Sequence, residues 1–194
     1  MTQVVLFHSA LGLTHHVHAW ADNLRDDGHS VVTPDLFDGD TFDDIDAGVA
    51  RVDSSGGPPA FLADALAQIA HLEGPRVYAG FSLGAAMAEV LALTRGDASG
   101  LVVMHGALSP AWFEATEWPV GLRAQLHYAK DDPWVEADEN AAFMALAGDA
   151  CEEFVYEGAG HLFAFEGWRE YDGAAAERMF DHVTDFLAEL DNGE

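Results

Sequence analysis

Six short runs rich in β-branched and aromatic residues punctuate the chain: VVLF at residues 4–7, SVVT at 30–33, VYAG at 77–80, LVVMH at 101–105, AQLHYA at 124–129 and EFVYE at 153–157. Each has the length of a strand, and most are apolar at consecutive positions, as strands buried on both faces are. Between the runs, apolar residues recur at helical spacing. Val17, Trp20, Ala21 and Leu24 stand at i, i+3, i+4 and i+7, and FLADALAQIAHL, NAAFMALAG and MFDHVTDFLAEL repeat the pattern. Strands alternating with helices predict an α/β fold, with one mostly parallel sheet of about six or seven strands covered by helices on both faces. Reactive groups in such a sheet gather beyond the carboxyl ends of the strands. The chain has 194 residues, 49% of them hydrophobic, which predicts a single domain over residues 1–194 without a large cap.

A serine ends the third run. In VYAGFSLGAAMAEVLAL, residues 77–93, Ser82 stands between Gly80 and Gly84 where a strand gives way to a helical stretch. Flanking glycines allow neighbouring chain to approach closely at a sharp turn. A helix starting there aims unpaired N–H groups and a positive dipole end at the reacting centre. A serine hydroxyl is a weak nucleophile. It needs an imidazole to take its proton and a carboxylate to hold that imidazole in the right tautomer. Both occur downstream: HYAKDDPWVEAD leaves a strand at Asp131 and Asp132, and YEGAGHLFAF places His161 in a glycine-rich loop. Serine, aspartate, histidine, each after a different strand, is the α/β-hydrolase order. In that arrangement Leu83 and a residue of FHSALG, best matched by Ala10, supply backbone N–H groups to the oxyanion.

Charge narrows the partners. The chain carries 34 acidic and 8 basic residues, a formal net charge of -26, and its one lysine is Lys130. Nucleic acid would be repelled, and stability in concentrated salt is expected, because a Debye length of about 3 Å at 1 M screens self-repulsion. Cys151 is the sole cysteine, so no internal disulfide can form, and MTQVVLFHSALGL reads as a strand rather than a secretion signal; both features point to a cytoplasmic location. No membrane association is expected, since Glu89 and the glycines interrupt the apolar stretch around Ser82. The acidic segment 35–59 reads as a partly helical surface excursion. Asp38, Asp40, Asp43, Asp44 and Asp46 lack the ligand spacing of a calcium loop. No metal is expected at His15, His16 and His18 either, because Val17 and Trp20 take the buried face and leave those rings at the surface or a pocket rim. His8 and His105, at strand ends, read as satisfied polar groups near the site.

Four ordered stretches resemble the dienelactone hydrolase family of α/β-hydrolases. GLTHHVHAWADNLRDDGHSVVTPDLFDG resembles its first helix and the strand with Pro-Asp-Leu, YAGFSLGAAMA its nucleophile elbow, HYAKDDPWV its acid loop and YEGAGHLFAF its histidine loop. REYDGAAAERMFDHVTDFL is similar to its closing helix. The resemblance implies Ser82 as nucleophile, His161 as base, and Asp132 rather than Asp131 as the orienting acid, because Asp132 precedes Pro133. The family's namesakes carry cysteine at the elbow; serine here implies ordinary ester hydrolysis. They also use an acidic residue after the first strand and an arginine after the histidine, where this chain has Ser9 and Phe165. Loss of that carboxylate clamp implies a neutral or apolar small-molecule ester, in a pocket walled by Trp112, Phe113 and Trp118 of SPAWFEATEWPV, with Ser9 and Phe165 as further substrate-binding candidates. The expected activity is a serine esterase using water and no cofactor. Lactone or thioester hydrolysis by the same residues, or a non-catalytic ligand-binding relative, are the alternatives.

Overall fold

The structure, a computed structural model, describes residues 1–193. In chain order the elements are β1 (Gln3–Phe7), α1 (His15–Asp26), β2 (Ser30–Val32), α2 (Ile45–Ser54), α3 (Leu62–Ile69), β3 (Arg76–Phe81), α4 (Leu83–Thr94), β4 (Ala98–Met104), β5 (Arg123–Ala129), α5 (Ala137–Ala147), β6 (Cys151–Tyr156) and α6 (Gly173–Asn192). All six strands join one sheet in the order β2-β1-β3-β4-β5-β6, and every neighbouring pair is parallel. The chain winds outward from β1 to β2, then crosses back to β3 and continues the other way. The strand order therefore reverses between β1 and β3, and in parallel sheets ligand crevices form beyond the carboxyl ends beside such a reversal.

Alternate residues of each strand serve opposite faces. Val5, Phe7 and Tyr78 pack with Ala65 and Ile69 of α3, Ala88 and Leu91 of α4 and Phe143 of α5. Val4, Leu6, Val77 and Phe81 pack with Val17 and Trp20 of α1 and with Met179, Val183 and Phe186 of α6. Fully burying one such large side chain is worth roughly 1.5–3 kcal/mol. Among the described residues no large cap domain covers the sheet.

Segment 35–59 departs from the expected surface excursion. Leu36, Phe37, Ile45 and Val52 are buried, while Asp38, Asp40, Asp43, Asp44 and Asp46 point to solvent. The segment alternates anchors with carboxylates rather than floating over the surface. Asp44 caps α2, accepting from the backbone N–H groups of Asp46 (2.7 Å) and Ala47 (3.3 Å). Gly48 permits the contact beneath: a Cβ there would collide with the Ala10 backbone. Among the described residues no helix is long and apolar enough to cross a membrane.

Candidate active site

Ser82 follows β3 immediately, with φ 54° and ψ -111°, a backbone state that costs a non-glycine residue of order 1–3 kcal/mol. Its surroundings hold it there. The Ser82 N–H donates to the Met104 carbonyl (2.8 Å) and its own carbonyl accepts from Ala85 N–H (2.8 Å). A Cβ on Gly80 would strike the Gly84 carbonyl, and one on Gly84 would strike the Phe7 and His8 carbonyls. Both glycines are therefore required by close approach, and the turn lifts the serine hydroxyl above the strand ends.

Asp132 and His161 stand in the loops that follow β5 and β6. His161 Nε2 lies 3.0 Å from Ser82 Oγ, and its Nδ1 lies 2.7 Å from Asp132 Oδ2. With the proton on Nδ1, that N–H donates to the carboxylate and Nε2 keeps a lone pair for the serine hydrogen. Asp132 is buried, whereas Asp131 is exposed. The second oxygen of Asp132 accepts from Trp134 N–H (2.9 Å), so both oxygens are engaged. The His161 loop is pinned in turn by the Trp168 indole N–H, which donates to the His161 carbonyl (3.2 Å).

Beside this chain of hydrogen bonds lies His105, just past β4, with φ 67°. Its ring meets that of His161 edge-on at 5.6 Å, and both ring nitrogens lack a hydrogen-bond partner. Burial, reinforced by neighbouring His161 and His127, pushes its pKa well below the usual histidine value. It is therefore a neutral ring and not the satisfied polar group expected. His8 does meet that expectation: its Nδ1–H donates to the Ser9 carbonyl (2.7 Å) and its Nε2 accepts from Leu36 N–H (2.9 Å).

Ser82 and Leu83 open into a cleft of about 350 Å³, walled by Leu108, Trp112, Trp134 and Val135 with Glu136 and Glu139 at its side. Two hollows of about 440 and 800 Å³ lie elsewhere, one between α1 and α6 and one over residues 35–68, and neither contains a residue of the Ser82, Asp132 and His161 set. Of the expected wall and substrate-binding residues, Trp112 borders the cleft and Phe113, Trp118, Ser9 and Phe165 do not. Trp118 packs edge-on against Phe143 at 5.5 Å and donates its indole N–H to the Leu122 carbonyl (2.7 Å). Phe165 is fully buried against Phe81 and stacks on His16. Ser9 is buried too, its Oγ accepting from Leu11 N–H (3.2 Å) within the turn after β1. His15 and His16 rim the α1–α6 hollow rather than the cleft. Sequence reading overlooked Trp134, Glu136 and Glu139; the first stood in plain view, two places after Asp132.

The family model for the dienelactone hydrolase family matches residues 1–190. The chain belongs to the dienelactone hydrolase family. Membership makes it a hydrolase, and the solved structures it resembles carry the same fold. A dienelactone hydrolase-like promiscuous phosphotriesterase from metagenomic libraries superposes with a TM-score of 0.83 at 22% identity, covering 98% of this chain and 87% of that one. Esterase PE8 gives 0.63 at 21% identity, over 97% and 92% of the two chains. Esterase 2 of Thermogutta terrifontis gives 0.64 at 15% identity, over 97% and 83%. No curated protein sequence matches the chain. Within the family pattern, this member combines a serine at the elbow with no arginine or lysine along the cleft.

Proposed function

We propose that this hydrolase cleaves carboxylic esters through an acyl-enzyme on Ser82. The observation that carries the reading is the continuous path from Ser82 Oγ to His161 Nε2 (3.0 Å) and from His161 Nδ1 to Asp132 Oδ2 (2.7 Å). As Ser82 Oγ attacks the ester carbonyl, Nε2 takes its proton, and Asp132 stabilises the imidazolium without itself being protonated. The carbonyl oxygen gains charge beside the Leu83 N–H, the first of α4 and so without a carbonyl one turn earlier to receive it. The Ala10 N–H, in the turn after β1, is the second donor. Each such donor is worth about 3 kcal/mol of barrier, and the α4 dipole favours the same negative charge. The imidazolium then protonates the leaving alcohol, the acyl group stays on Ser82, and water repeats the steps in reverse. Nucleophile, acid, base and charge stabilisation all come from the chain.

A fluorophosphonate probe tests this directly. Folded wild type should be labelled at Ser82, read by peptide mass, and should hydrolyse p-nitrophenyl butyrate; Ser82→Ala should do neither. A folded wild type inert to both would overturn the reading in favour of a ligand-binding relative.

A further inference from the structure

We infer that the Ser82 cleft selects esters of cationic alcohols, in which an alkylammonium group a few bonds from the ester oxygen rests on Trp134 and Trp112 beside Glu136 and Glu139. The inference rests on the esterase reading above and adds the class of leaving group. Protonated His161 has to reach the oxygen of the departing alcohol, so the alcohol half of the substrate lies on the His161 side of the cleft. Trp134 occupies that side, its ring 6.2 Å from the His161 ring and 41% exposed. Its backbone N–H donates to the same Asp132 carboxylate that orients His161, so the indole and the base are placed by one group.

Trp112 faces the cleft from the turn after β4 and is 70% exposed, far more than so large an apolar ring usually is. Its indole N–H donates to both oxygens of Glu139 (3.1 and 3.0 Å). A carboxylate at the N–H edge pushes electron density into the ring, and an electron-rich indole face is the best side-chain partner for an organic cation. The donors that meet Glu139, Trp112 Nε1–H and Ser109 N–H, are neutral and leave its charge uncancelled. Glu136 stands next to it on the cleft wall. The N-terminus of α5 offers about half a positive charge there, against two carboxylates lining the cleft and a third at Asp138 in the first turn. None of the eight basic side chains lines the cleft, and His105, which does, is held neutral by burial. The wall is aromatic and negative. A substrate bearing a carboxylate would be repelled, a neutral alkyl alcohol would gain apolar contact alone, and an ammonium would gain that contact together with the field.

Butyrylcholine and 3,3-dimethylbutyl butyrate test the point, since they differ by a carbon in place of the ammonium nitrogen. Wild type should favour the choline ester about tenfold in kcat/KM, and Glu136→Gln and Trp112→Leu should each draw the ratio toward one. Because the ratio is taken within a single preparation, a partly folded variant does not distort it. A wild-type ratio near or below one with the neutral ester still cleaved overturns the cationic preference and leaves the esterase reading standing; so does a ratio unchanged in both variants. Cleavage of neither ester overturns the preference as well, and fluorophosphonate labelling of Ser82 then reports separately whether the esterase reading has fallen with it.

Discussion

At the scale of single residues, the proposed ester hydrolysis depends on one tautomer and one tight turn. Asp132 keeps the His161 proton on Nδ1; an amide in its place can present its N–H₂ to that nitrogen and move the proton to Nε2, where it blocks Ser82. Asp132→Asn should therefore lower kcat by about 10⁴-fold with little change in melting temperature, measured on p-nitrophenyl butyrate. Gly84→Ala should fail differently. Its Cβ would meet backbone carbonyls of Phe7 and His8, which cannot rotate away as a flexible side chain would. Loss of soluble protein, or a melting temperature many degrees lower, is the expected result; a stable and active variant would show that the elbow can open. These positions were readable in advance because short-range rules place them: glycines flank the serine, and Asp132 and His161 each leave a strand end. Of the walls of the cleft, only Trp112 was readable. Trp112 and Trp118 stand six places apart in SPAWFEATEWPV and look alike, yet one borders the cleft and the other packs on Phe143, a choice made by the path of the loop against α5.

At the scale of elements, α4 does more than present the elbow. Glu89, wholly buried in its middle, accepts from Leu108 N–H (3.0 Å), and its other oxygen has no partner. Asn140 of α5 accepts from Ala107 N–H (2.8 Å) and Glu139 from Ser109 N–H. The turn after β4 that carries Trp112 is thus held by side chains from two helices. Burial pushes the Glu89 pKa well above the usual carboxylate value, so the folded protein keeps it protonated where the unfolded chain would ionise it. As pH rises past about 4.5 the unfolded state binds fewer protons than the native state, and stability is lost until the native pKa is reached. Glu89→Gln, an isostere of the protonated acid, should match wild type near pH 4.5 and melt progressively higher than wild type toward pH 8. Parallel curves would mean that Glu89 is charged in the fold. In the sequence Glu89 signalled only that the apolar stretch could not span a membrane; its hydrogen bond to a loop nineteen residues on is invisible to any local pattern. Segment 35–59 was obscured for a similar reason, since its exposed aspartates outnumber the buried Leu36, Phe37, Ile45 and Val52 that anchor it.

For the whole molecule, two opposed electrostatic effects set the conditions under which it stays folded. With a net charge of -26 the surface repels itself, and molar salt should raise the melting temperature at pH 7 by screening that repulsion. Lowering the pH would also reduce the surface charge, yet the interior opposes it. Desolvation lowers the pKa of half-buried His16, and fuller burial depresses those of three buried rings, His8, His105 and His127, the last to about 3. Below about pH 6.5 the unfolded chain takes up protons at these three rings that the native state refuses, so stability falls at up to about 1.4 kcal/mol per pH unit for each. Glu89 acts in the opposite sense over the same range, but it is one group against three, and the surface carboxylates do not discharge until the pH approaches 4. Melts at pH 7 and pH 5 should therefore show a lower melting temperature at pH 5 in both dilute buffer and molar potassium chloride. His127→Gln should lessen the drop, because it removes one of the three rings that stay neutral in the fold while the unfolded chain charges them. A melting temperature that rises on acidification in dilute buffer would instead mean that surface repulsion outweighs the buried imidazoles in setting the stability of this fold.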